Sequence, residues 1–310
     1  MAGTMPLMTI LARPVNNVNT QGAAHNPTTS VKPWTNNSAF MNCDMQVNTL
    51  AMFQRDDNFG PFEAADNHRL STRAWLPMAP ELISLEAETN AHFMKYIDIP
   101  VRLAWGFFPN LVFHYGIGPP ACVAGANAAM TVDVMVCHHI TNRPLIIGEL
   151  KKPGVIRVAE WTGPTAPGLG TRRLQREMRA YAANYWVELA FIYDGRNFLL
   201  LRWETDSRQD LLTDQPECWI LPVASSAPNV AVGQAYYQAI SAAYQKFQGE
   251  RAADEGIMIG NYKLVRSYWG RLLWEYQNQQ QPLQGHVDVP HRRIAWLDAG
   301  GNVIHQESID

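Results

Sequence analysis

Apolar positions first settle into helical spacing at residues 80–96, where Leu82, Ile83 and Leu85 lead to Ala91, Phe93 and Met94, with Glu81, Glu86 and Glu88 between them. That separation of faces predicts an amphipathic helix. A mixed apolar stretch over 101–115 ends at Gly116-Ile117-Gly118-Pro119-Pro120, a run of backbone breakers. Two segments dense in β-branched residues follow, 129–137 (AMTVDVMVC) and 145–151 (LIIGELK), joined by the polar turn Thr141-Asn142-Arg143-Pro144. Together they read as a β-hairpin. Residues 154–170 are rich in Pro and Gly and read as loop. Leu174, Met178, Tyr181, Ala182 and Tyr185 then recur at i, i+4, i+7, i+8 and i+11, which predicts a helix over 171–185 with Thr171 as its N-cap. The other face of that helix carries Arg172, Gln175, Arg176 and Arg179. Residues 187–193 and 198–203 are predicted strands around the turn Asp194-Gly195-Arg196-Asn197.

Outside this region the pattern is weaker. Residues 12–72 are rich in Asn, Thr, Pro, Gly and Ala and read as loop, or as an arm lying over a core. Residues 218–223 add an edge strand, and helical stretches are predicted at 231–248 and 259–278. A Gln-rich linker covers 277–284, and 293–306 is a predicted hairpin around Ala299-Gly300-Gly301. The order of elements predicts an α/β core, with a mixed central sheet flanked by helices. The predicted organisation is a loop-rich N-terminal arm over 1–75, the core over 76–225, and a helical C-terminal extension over 226–310 that ends in the hairpin.

Composition narrows the class. The 310 residues are 47% hydrophobic and 17% charged, as in globular domains. No apolar run reaches the roughly 18 residues of a membrane helix. The apolar residues 5–11 are short and lack a basic lead-in, so no secretion signal is expected. Cys43, Cys122, Cys137 and Cys218 are far apart and form no CxxC pair, which argues against a zinc knuckle or a disulfide scaffold. An intracellular chain, cytoplasmic or nuclear, is the expectation. The formal net charge of −3 gives no support to nucleic-acid binding by itself. Residues 143–203, however, hold ten Lys or Arg against five Asp or Glu, whereas the rest of the chain holds 15 basic against 23 acidic residues. A positive segment in an acidic chain suits a phosphate site.

The candidate chemistry lies on the hairpin. With the turn centred on Thr141, facing positions sum to 282, and Asp133 stands opposite Glu149. Cross-strand Cβ atoms lie roughly 4.5–5.5 Å apart, close enough for two carboxylates to share one ion. Lys151 follows Glu149 by two residues and so shares its face. Two acidic side chains on paired strands can hold Mg²⁺ or Mn²⁺, with water completing the shell. The Leu150 carbonyl, between the two charged residues, is a further candidate ligand. Such an ion acidifies a bound water, and a nearby lysine can orient that water or stabilise the developing charge. Three charged groups converging on otherwise apolar strands are costly, and something must compensate them.

This arrangement of helix, Asp133 on one strand, Glu149-Leu150-Lys151 on the next, then helix and strand resembles the PD-(D/E)XK nuclease superfamily, and in particular uncharacterised nuclease-like proteins of fungi. The resemblance spans residues 80–203. It implies a restriction-endonuclease-like core and a Mg²⁺- or Mn²⁺-dependent nuclease that hydrolyses phosphodiester bonds of nucleic acid, DNA in preference to RNA, as an endonuclease. Asp133, Glu149 and Lys151 would form its catalytic centre. It also implies that Gln175 supplies the helix's polar group to the site, and it leaves a homodimer open. Val132 stands where the motif's proline would be, and Arg179 occupies the tyrosine place of the exonuclease-type Gln-x-x-x-Tyr spacing. Arg172, Arg176, Arg179 and Lys152 are the candidates for phosphate contact, against a solvated helix face. Two other classes fit the same sequence: a nuclease-fold module that binds without catalysis, and a self-assembling structural protein. Contiguous Cys137, His138 and His139 cannot all face one ion from a regular strand and are expected at the strand end. Trp269, Trp274 and Tyr276 are expected in a helical core.

Overall fold

The computed structural model describes residues 5–13, 18–20, 64–71, 73–74, 81–83, 85–105, 111–224, 231–252, 258–259, 261–270, 272–276, 279–280, 284–288, 293–298 and 300–308. Most of the predicted arm lies outside the described residues. One part that is described, the helix Leu7–Leu11, buries Leu7, Ile10 and Leu11, so this short apolar run is core. The chain divides into two compact units, residues 1–243 and 244–310.

The first unit is built on a six-stranded sheet whose strands lie side by side in chain order. They are β1 (Leu111–Ile117), β2 (Val132–His138), β3 (Pro144–Leu150), β4 (Leu189–Tyr193), β5 (Asn197–Arg202) and β6 (Glu217–Pro222). β3 and β4 are parallel and every other neighbouring pair is antiparallel, so the sheet is mixed. The parallel step needs a crossover, which is α2 (Leu169–Tyr185). All seven residues of β3 are buried, as expected of a central strand covered on both faces.

One face of the sheet packs Met135, Cys137, Ile147, Ala190, Ile192, Leu199 and Leu201 against Leu174, Met178, Tyr181 and Tyr185 of α2. The other face is aromatic. Phe191 lies 5.3 Å from Phe93, 5.2 Å from Phe198 and 5.1 Å from Tyr236, measured between ring centroids. Phe93 comes from α1 (Glu86–Phe93), and Tyr236 from α3 (Val232–Gly249).

The first helix departs from the sequence reading at both ends. Residues Glu81–Ile83 form a strand, and the helix begins at Glu86, where the Glu88 side chain accepts the Leu85 amide at 2.9 Å. It then runs on through a π turn, Met94–Asp98, into the helix Ile99–Trp105. Pro100 has no N–H to give to the preceding turn, and the wider turn lies just before it.

The second unit corrects the expectation of a helical extension. α3 occurs where a helix over 231–248 was predicted, but 259–278 forms strands β7 (Tyr262–Arg266) and β8 (Leu272–Tyr276), paired antiparallel. Gly270, between them, has φ +77°, and a Cβ there would sit 2.2 Å from the Gln245 carbonyl oxygen. Only glycine suits that turn. β9 (Gln284–Asp288), β10 (Arg293–Leu297) and β11 (Val303–Ser308) form a three-stranded sheet whose last pair is the predicted terminal hairpin. Trp269 is buried, whereas Trp274 and Tyr276 are half-buried on β8.

Candidate active site

The β2–β3 ladder has the register the turn implied. Val134 faces Gly148, Met135 faces Ile147 and Val136 faces Ile146, and a one-residue shift near the turn brings Cys137 opposite Pro144. The ladder stops at Val134 and Gly148. One step further on, the Asp133 carboxylate accepts the Leu150 N–H at 2.7 Å. A side chain therefore stands between the two strands where a backbone carbonyl would otherwise bond, and β3 continues by pairing with β4 alone. The N–H and C=O of one strand residue point to the same edge, so the Leu150 carbonyl also faces this opening.

Glu149 is buried and shares the α2 face with Ile147 and Ile192, its partner in the parallel ladder. Lys151 Nζ lies 2.5 Å from Glu149 Oε1 and 3.4 Å from Glu177 Oε1 on α2. The Tyr181 hydroxyl, one helical turn beyond Glu177, donates to that same oxygen at 3.3 Å. Burial, and then the charges of Glu149 and Glu177, push the Tyr181 phenol far above its ordinary range, so it stays a neutral donor. In formal charges, Asp133, Glu149, Glu177 and Lys151 sum to −2.

Glu177 was missed by the sequence reading, which took Gln175 from this helix. Gln175 is buried, its amide nitrogen has no hydrogen-bond partner among the described residues, and the side chain that reaches Lys151 is Glu177. A signal did exist: Glu177 sits three residues after Leu174 and four before Tyr181, inside the apolar stripe. Arg179 is also corrected. It is fully buried, and its guanidinium donates to the carbonyls of Leu211 (3.3 Å) and Asp214 (2.5 Å), so it holds backbone and is not available for phosphate. Arg172 is exposed, Arg176 is half-buried with its Nε 3.3 Å from the Arg172 carbonyl, and Lys152 is half-buried just after the site. Cys137 is buried in the core, and His138 Nδ1 lies 3.0 Å from the Thr141 hydroxyl in the turn. Burial pushes the Cys137 thiol up to about 12, which leaves it unreactive.

Two carboxylates fix the surrounding loops. Buried Asp194 accepts the amides of Gly154 and Ile156 on one oxygen and those of Arg196 and Asn197 on the other, at 2.8–3.1 Å. It thereby ties the segment after Lys151 to the β4–β5 turn. Helix α2 begins at Leu169, with Gly168 as its N-cap rather than Thr171. Glu160 accepts the Gly168 amide at 2.8 Å and Arg157 Nη1 at 2.9 Å. The nearby Thr171 side chain, the Arg157 guanidinium and the Gly168 amide hold its carboxyl down to about 2. A carboxylate also suits the positive end of the helix. Because the folded-state value is depressed, the Glu160 contribution to stability is complete above the ordinary value of 4.5 and is lost as pH falls towards 2. Urea denaturation should therefore find Glu160→Gln less stable than wild type at pH 6, with the gap closing near pH 2. A gap that stays constant with pH would dismiss this role.

The donor set suits a hard divalent cation. Mg²⁺ is ordinarily held by one or two carboxylates and keeps several waters. Asp133, Glu149 and the Leu150 carbonyl offer oxygen donors where β2 and β3 part, and with Glu177 and Lys151 the side chains carry a formal charge of −2. Among the described residues, no group of three or more His, Cys, Asp or Glu is placed to cage an ion, so water must supply the rest of the shell.

No protein-family model, curated protein or solved structure matches this chain. No helix among the described residues is long and apolar enough to cross a membrane.

Proposed function

We propose that this chain is a Mg²⁺- or Mn²⁺-dependent nuclease with a restriction-endonuclease-like core, cleaving phosphodiester bonds within nucleic acid, with DNA favoured over RNA. The observation that carries the reading is the end of the β2–β3 ladder, where Asp133 enters the gap and Glu149 and Lys151 stand beside it. Asp133, Glu149 and the Leu150 carbonyl would hold the ion. The bound ion would supply an acidified water and neutralise charge on the phosphate. Lys151 brings a positive charge to the same place, suited to orienting the attacking water and stabilising the negative charge of the transition state. Arg172, Arg176 and Lys152 are the basic groups for the phosphate backbone, which positions the substrate and carries no sequence information.

A second reading, a nuclease-fold module that binds without cleaving, draws on one specific observation: both acids already have partners in the protein, Asp133 at the Leu150 amide and Glu149 at Lys151. The full chain incubated with supercoiled plasmid and with single-stranded RNA separates the two. Nicking or linearisation in Mg²⁺, its absence in EDTA, and a loss of about a hundredfold or more in Asp133→Asn are expected. Mn²⁺ binding without cleavage of either substrate would hand the site to the second reading.

A further inference from the structure

Lys151 stands between two carboxylates from different elements, Glu149 Oε1 on β3 at 2.5 Å and Glu177 Oε1 on α2 at 3.4 Å. A divalent cation held by Glu149 competes with the ammonium for that carboxylate, and two positive charges on one carboxylate repel. Lysine is a compact charge on a flexible four-carbon stem, so a small movement suffices to transfer its main contact from Glu149 to Glu177. The Tyr181 hydroxyl already donates to Glu177 Oε1, which fixes that oxygen on the rigid helix. Tyr181 cannot take the ammonium's place as a counter-charge, because a phenol is never cationic.

We propose that Glu177 is a positioning residue that receives the Lys151 ammonium when a divalent cation takes Glu149, so that ion binding itself sets the lysine in its working place. In the ion-free protein Lys151 stands in for the cation; in the loaded protein Glu177 keeps the lysine beside the ion without opposing it. No proton moves in this exchange. The inference rests on the nuclease reading and adds to it a division of labour between the two glutamates.

The test is a double-mutant cycle read by Mn²⁺ binding in isothermal titration, independent of cleavage. Lys151→Met removes the competing ammonium and should bind Mn²⁺ more tightly than wild type. Glu177→Gln should weaken Mn²⁺ binding about tenfold in the wild-type background, because the ammonium then stays on Glu149. In the Lys151→Met background the same substitution should change affinity by less than about twofold, within the ordinary error of additivity. Glu177→Asp, which keeps the charge, should recover part of the loss. Should Glu177→Gln fold poorly, Tyr181→Phe removes one donor from the same oxygen and should give a smaller loss that likewise vanishes without Lys151. An equal loss in both backgrounds means Glu177 acts on the ion directly, which overturns the exchange and leaves the nuclease reading standing. Wild-type protein that binds no Mn²⁺ at all overturns both.

Discussion

Lys151→Ala is expected to lower Mg²⁺-dependent cleavage by about a thousandfold, the combined scale of losing a positioned proton-transfer group and a transition-state charge. The residue follows the end of β3 and its ammonium contacts two carboxylates, so its removal leaves the backbone ladders of the sheet in place. It also takes the cationic partner away from buried Glu149. Breaking a buried pair costs roughly 3–5 kcal/mol, and less when one member is partly exposed, as Lys151 is. The variant should therefore melt lower than wild type in EDTA and regain most of the difference in saturating Mn²⁺, whose charge replaces the ammonium. Cleavage retained in Lys151→Ala would remove this residue from the mechanism.

Gly148→Ala is expected to be the most destabilising small change in the core, at roughly 3 kcal/mol, the upper end of ordinary overpacking costs. A Cβ at Gly148 would lie 2.0 Å from the tip of the Phe191 ring and 2.4–2.5 Å from its flanking carbons. The ring cannot swing aside, because Phe93, Phe198 and Tyr236 surround it at 5.1–5.3 Å between centroids. Gly148 is the residue before Glu149 and the last rung of the β2–β3 ladder, so the strain falls on the strand that carries the site. Denaturant melts should show the loss, and Gly148→Ala combined with Phe191→Leu should recover much of it. Equal stability of wild type and the single variant would mean that this face of the sheet is far looser than the ring contacts indicate.

The hairpin was legible because its turn and its two apolar runs agree on one register. Facing positions summing to 282 hold from Val134 and Gly148 to Val136 and Ile146, since a slip by one residue would turn an entire buried face outward. What the sequence could not show was the parting of the strands at Asp133, a matter of side-chain insertion rather than of pattern. On α2, Leu174, Met178, Tyr181 and Tyr185 marked the buried stripe correctly, yet the opposite face was read as open, either to phosphate or to solvent. The short helix Asp210–Thr213 and its C-cap Asp214 bury Arg179 on that face, accepting its guanidinium through the Leu211 and Asp214 carbonyls. A polar helix face looks the same in sequence whether water or backbone satisfies it. The C-terminal error has a different origin. Tyr262, Val265, Trp269, Leu272 and Tyr276 fall at three- and four-residue spacing, as on a helix, whereas β-branched and aromatic content and the left-handed Gly270 decide for a hairpin.

The most direct measurement is anomalous diffraction from crystals of the full chain grown or soaked with Mn²⁺. The proposed cation site predicts a peak where β2 and β3 part, bonded to the Asp133 and Glu149 carboxylates and lost in Asp133→Asn crystals. A saturated crystal with no ion at that opening, or with Mn²⁺ held only elsewhere on the chain, would contradict it.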